Sequence, residues 1–147
     1  MAENILRRLR FDNDTIARVC QLILGHDDNP PVTGKTIRRA VVRLGREAFP
    51  DIFAVKRADI LAQSRYLREE KLAYVAQYEV CYQDILRKEE CLSLKDLAVN
   101  GADLIAEGIK PGPGLGAALQ ELFELVLEEP ENNTKEYLLG KVRARTR

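Results

Sequence analysis

Apolar side chains return at spacings of three and four residues through almost the whole chain, whereas two-residue alternation bounded by hairpin turns is nearly absent. That pattern selects helices packed on helices and excludes sheet architectures. The expected fold class is therefore all-α, with about seven to eight helices. At 147 residues the chain can bury roughly 68–70% of its unfolded surface, enough for a core without staples. Two parts are expected, a helical body over residues 1–90 with a basic face and a helical tail over residues 91–147.

Local signals place the elements. Residues 3–9 read as a short helix. Asn13 or Asp14 can cap the next one, whose Ile16, Val19, Cys20, Ile23 and Leu24 form an apolar stripe expected in the core before Gly25. Asp27-Asp28-Asn29-Pro30-Pro31 reads as a loop, and Thr33 caps a helix that runs to Leu44 and is ended by Gly45. Pro50 fits the first turn of a helix presenting Ile52, Phe53, Val55, Ile60 and Leu61. The longest helix is expected over residues 66–89, with Leu67, Tyr74, Tyr78, Cys81 and Ile85 inward. Ser93-Leu94-Lys95-Asp96 has capping-box spacing and should start a short helix that stops at Asn100-Gly101, followed by another over residues 103–107. The Gly- and Pro-rich stretch 108–114 then connects to a helix over residues 115–129 with Leu115, Ala118, Leu119, Leu122, Val126 and Glu129 inward. Pro130 ends it, Thr134 can cap the last helix, and residues 141–147 form a basic tail expected to fray.

Composition narrows function by exclusion. Cys20, Cys81 and Cys91 are odd in number and far apart, and His26 is the single histidine, so neither a disulfide framework nor a zinc site can be assembled. A reducing, cytoplasmic setting follows. No apolar run reaches 18 residues, and Glu3, Arg7, Arg8 and Arg10 interrupt the place of a signal peptide, so no membrane association is expected. Acidic and basic residues both number 23, but residues 1–57 hold 11 basic against 7 acidic, and residues 58–147 hold 12 against 16. The front of the chain is the electropositive part.

Individual motifs each have a plain reading. Gly34-Lys35-Thr36 suggests a phosphate loop, but Asn29 stands where the earlier glycine is needed and Pro30 and Pro31 lack N–H donors, so a helix start is favoured. Asp12-Asn13-Asp14 offers paired carboxylates that helix capping explains more simply. His26-Asp27 has the look of an HD-type phosphohydrolase pair without the further ligands such a site needs. Tyr74, Tyr78 and Tyr82 could form a base-stacking platform, though their spacing favours a core or interface ridge. Two features remain as binding candidates. Arg39, Arg43 and Arg46 are expected on one helix face, with Arg38, Lys56 and Arg57 near in sequence, a stripe able to neutralise phosphates. Lys110 with Gly112 and Gly114 precedes a helix whose open N–H groups favour an anion, although Pro113 removes one donor and a plain helix-linking turn is the favoured reading. No catalytic constellation emerges.

Five blocks in order carry a family resemblance. They are Arg10-Phe11-Asp12-Asn13, Lys56-Arg57-Ala58-Asp59-Ile60-Leu61-Ala62-Gln63, Ser93-Leu94-Lys95-Asp96-Leu97 through Leu104, Gly108-Ile109-Lys110-Pro111-Gly112-Pro113-Gly114-Leu115-Gly116 and Asn133-Thr134-Lys135-Glu136. Together they resemble the C-terminal half of bacterial CCA-adding tRNA nucleotidyltransferases and their poly(A) polymerase relatives, of the type that carries an HD-type domain. The resemblance implies an elongated helical array, an all-α body and tail that grip the elbow region of tRNA, while a separate N-terminal head transfers nucleotides with magnesium and ATP or CTP. None of the head's motifs is found here, so the chain reads as a fragment, non-catalytic alone, with tRNA and the parent's head domain as partners and no DNA. Lys56, Arg57, Asp59 and Gln63 in the second block are implied to orient tRNA or the head; Asp59 and Asp103 read as caps or ion-pair partners. The alternatives are a helical interaction or homodimerisation module and a residual HD-type phosphohydrolase.

Overall fold

Helix-forming runs are punctuated by well-defined caps, and the computed structural model, which describes residues 1–146, resolves each run as its own rod. The helices are α1 (Ala2–Arg8), α2 (Asn13–His26), α3 (Gly34–Leu44), α4 (Phe49–Ala62), α5 (Arg68–Arg87), α6 (Gly101–Ala106), α7 (Pro113–Glu128) and α8 (Lys135–Thr146). Short 3-10 turns lie at Arg46–Ala48, Leu94–Asp96 and Pro130–Asn132, and no strand occurs among the described residues. The chain is all-α. It divides into two compact units, one over Met1–Ile85 and one from Leu86 onward.

In the first unit, Asp12 rather than Asn13 or Asp14 caps α2, its carboxylate accepting the Thr15 N–H at 2.8 Å. Only Ile16 and Gly25 of α2 are buried; Ile23 and Leu24, expected in the core, are exposed. Helix α2 also runs through Gly25 to His26, and the glycine lies tight against α4: a Cβ there would sit 2.6 Å from Ile52 Cδ1. Thr33 and Thr36 form a capping box at the start of α3, as their spacing predicts. Gly45, at φ 81°, closes the helix in a conformation that suits glycine.

The core of this unit centres on four rings. Phe49 stacks on Tyr82 with centroids 5.0 Å apart, and Phe53 meets Tyr78 edge-on at 5.4 Å. The Tyr82 hydroxyl donates to Arg46 O at 2.9 Å, and the Tyr74 hydroxyl donates to Pro30 O at 2.7 Å, so polar tips of core tyrosines fasten two loops. Val75, Tyr78, Tyr82 and Ile85 are the buried face of α5. Leu67 lies outside the helix, exposed at φ 52°, instead of leading its inner stripe.

In the second unit, Cys91, Leu97, Val99 and Leu104 pack with Leu122, Phe123, Val126 and Leu138 in one apolar cluster. Glu129 is exposed rather than inward. The Ser93–Asp96 segment makes a single 3-10 turn, with Asp96 accepting the Ser93 hydroxyl at 2.8 Å and the Leu92 N–H at 3.2 Å. Asn100 does not stop a helix but starts α6, in a reciprocal capping box with Asp103. The Asn133 side chain bridges the backbone between these elements, donating to Asp96 O at 2.9 Å and accepting from Ala98 N at 2.8 Å. Helix α8 reaches Thr146, so the expected fraying does not begin at residue 141; Arg147 lies outside the described residues. Lys135 pairs with Asp103 at 2.6 Å, and Arg143 grips Glu107 through two hydrogen bonds of 2.7 and 2.5 Å.

Two outcomes test this packing. Gly25→Ala forces a methyl into Ile52 and should destabilise the chain by about 1–3 kcal/mol in urea unfolding. The Lys135 hydrogen bond holds the Asp103 carboxyl below its usual range, and the Arg143 hydrogen bond does the same for Glu107. Carboxylates so depressed stabilise the fold above their unfolded pKa, and that contribution is lost as pH falls through the folded value. The thermal midpoint should therefore drop as pH is lowered from about 6 to about 3, and less steeply in the Asp103→Asn, Glu107→Gln double variant.

Candidate nucleic-acid interface

Helix α3 places its inner face, Ile37, Ala40, Val41 and Leu44, in the core, which turns Lys35, Arg39 and Arg43 outward at four-residue spacing. These three form a cationic row along one exposed side. From sequence alone Lys35 has only a place at a helix start; its position four residues before Arg39 is the signal that puts it in the row. Arg43 pairs with Asp28 on the preceding loop. An ion pair this exposed is weak, so a phosphate can displace the carboxylate at little cost.

The other expected members of the stripe are placed differently. Arg46 is exposed but lies beyond Gly45 in the 3-10 turn, not on the face of Arg39 and Arg43. Arg38 is buried, because its position one residue after Ile37 faces the core; its guanidinium folds back over the start of α3, where a Cβ on Gly34 would be 2.8 Å from Nη1. Arg57 is half-buried and paired with Glu79 of α5. Lys56 is 3% exposed, and its ammonium donates to His26 O at 2.8 Å, Asp28 O at 2.6 Å and Asn29 Oδ1 at 3.1 Å. Burial pulls its pKa below the ordinary lysine value, opposed by the charges of Asp28 and Asp27. Lys56 is thus a strap for the loop after α2 rather than a surface contact for phosphate.

Lys110, Gly112 and Gly114 are exposed at the start of α7, where Gly112 stands at φ 137° as the N-terminal cap residue and Pro113 follows it. Arg145 of α8 joins them around a shallow cavity of about 380 Å³ and pairs with Glu121. The distance along the chain concealed that neighbour.

The remaining motifs resolve as structure. His26 ends α2 with Nδ1 2.7 Å from Ile23 O and Nε2 3.2 Å from Asp27, and no group of three metal-ligating side chains occurs among the described residues. Tyr78 and Tyr82 belong to the buried ring cluster, so the three tyrosines do not form a stacking platform. Cys91 is buried in the second unit, and burial pushes its thiol up to about 11, far from a reactive thiolate. No helix among the described residues is long and apolar enough to cross a membrane.

Comparison with known proteins gives these positions a context. The family described as tRNA nucleotidyltransferase domain 2 matches residues 1–142. The CC-adding tRNA nucleotidyltransferase of Thermus thermophilus is 31% identical over 121 residues, 82% of this chain but 26% of that protein. The CCA-adding enzyme of Limosilactobacillus fermentum is 41% identical over 61 residues, 42% of this chain and 14% of that enzyme. The chain thus spans about a quarter or less of the length of these relatives. No solved structure matches.

Lys56 and Arg43 should separate sharply on mutation. Lys56→Met takes the buried donor from three loop oxygens and should cost about 1–3 kcal/mol in denaturant unfolding, whereas Arg43→Ala should cost under about 1 kcal/mol.

Proposed function

Because the chain belongs to the tRNA nucleotidyltransferase domain 2 family, we propose that it is the tRNA-holding helical part of a nucleotide-adding enzyme. Catalysis belongs to a separate head domain, where magnesium and ATP or CTP would act. The observation that carries this reading is the exposed cationic row of Lys35, Arg39 and Arg43 on α3. Its spacing follows a rigid rod, about 6 Å per step of four residues, which suits the phosphates of a folded duplex better than a mobile single strand.

The chemistry of the chain is consistent with binding without bond-making. The carboxylates that carry the family blocks, Asp96 and Asp103, are occupied in a turn and in a capping box. Asp59 accepts the Gln63 side-chain amide at 2.6 Å. Recognition by phosphate and 2′-hydroxyl contacts requires position, charge and shape, all of which a helical scaffold supplies.

Gel-shift titration with tRNA tests the proposal. Binding should weaken at least tenfold between about 50 and 200 mM salt, and a single strand of equal length should bind less tightly. The Arg39→Glu, Arg43→Glu double variant should lose about tenfold or more in affinity, while Glu129→Lys on the second unit should change it less than about twofold. Absence of a shift at low salt, or equal effects of the two variants, would overturn the reading.

A further inference from the structure

Next to Lys56 the first unit holds a cleft of about 410 Å³, walled by α4, the start of α5 and the loop after α2. Its rim carries a hydrogen-bonded chain of three exposed side chains. Gln63 donates to Asp59 at 2.6 Å and accepts from Lys71 at 3.1 Å, so a carboxylate and an ammonium stand on either side of one amide. In these contacts Asp59 uses one of its two carboxylate oxygens and Lys71 one of its three N–H groups. Ile60 and Val75 supply apolar wall. Tyr74 closes another side, its hydroxyl fixed to Pro30 O and its pKa pushed up to about 12 by burial. Leu67 stands at the mouth at φ 52°, a backbone conformation that bulky residues seldom adopt.

We infer that this cleft receives an unstacked RNA nucleobase, read on its Watson–Crick edge by Asp59 and Lys71. Every base presents on that edge both donors and acceptors, which a carboxylate and an ammonium flanking one amide can meet from its two sides. Phosphate does not fit. Asp27, Asp59 and Glu70 outnumber the two lysines of the lining, and the Lys56 ammonium is already satisfied by three oxygens. The ring faces have Ile60 and Leu67 to lie against, while the ribose and backbone stay outside the cleft. The inference rests on the RNA-binding reading for the reason a base reaches this cleft, but its chemistry is that of the base alone.

The test uses nucleosides, which carry no phosphate, and follows the Gln63 side-chain amide and backbone signals of residues 59–75 by NMR in the full chain. Uridine and cytidine should give saturable shifts that change little between about 50 and 500 mM salt, because the ligands are uncharged. Asp59→Ala and Lys71→Met, both at exposed positions, should each weaken binding about tenfold. 3-Methyluridine, which lacks the donor on that edge, should bind at least about fivefold more weakly than uridine. No saturable shift with either nucleoside, equal shifts with ribose 5-phosphate, or full affinity in both variants would overturn the inference. A failed tRNA gel shift with uridine still binding would overturn the tRNA reading instead, and retained tRNA binding without nucleoside shifts would overturn this one alone.

Discussion

A single buried ammonium organises the first unit. Lys56 projects from α4 into the end of α2 and the loop that follows, and its three hydrogen bonds satisfy an ammonium that burial has taken from water. The loop contains two prolines, which have no backbone N–H to donate, so bonds from outside it matter for its position. With Tyr74 holding Pro30 from α5, the strap delivers the chain to Thr33 at one angle, and the capping box there sets where α3 begins. The cationic row inherits its position from that sequence of constraints. Charge on the outside of α3 is therefore placed by a charge on the inside of the unit.

The residues that carry the family blocks play a similar part throughout. Asp96 closes a turn, Asn100 and Asp103 cap α6, Asn133 stitches two loop segments, and Lys135 joins α8 to α6. Their common feature is fixing backbone where helices are short and caps supply much of the order. A scaffold of this kind keeps short helices at fixed angles to one another within the second unit.

Much of the fold was legible because helix periods, prolines and capping residues act locally. Thr33, Gly45, Pro130 and Thr134 do what their types and spacing predict. What could not be read depends on neighbours distant in the chain. Ile23 and Leu24 share a stripe with Ile16, yet α4 approaches α2 at Gly25 and leaves the pair uncovered. Periodicity names a face without naming what covers it. Arg38 and Lys56 read as surface cations because long charged side chains usually are, and their burial follows from flanking core positions. Asn100 was read as a stop signal, although asparagine before a glycine serves equally as a start when Asp103 completes the box. The cleft beside Lys56 was invisible for the same reason: Asp59 and Gln63 sit in one block, but Lys71 and Tyr74 belong to another helix.

The pairing of Arg43 with Asp28 has a thermodynamic consequence for any polyanion that lands on α3. A cation that already faces a carboxylate brings that carboxylate's own screening cloud with it, so docking a phosphate exchanges one anion for another. The ions returned to bulk solution are then fewer than the number of arginine contacts. A plot of log affinity against log ionic strength would count electrostatic vacancies rather than basic side chains, and its gradient would fall short of the stoichiometry that the cationic row suggests.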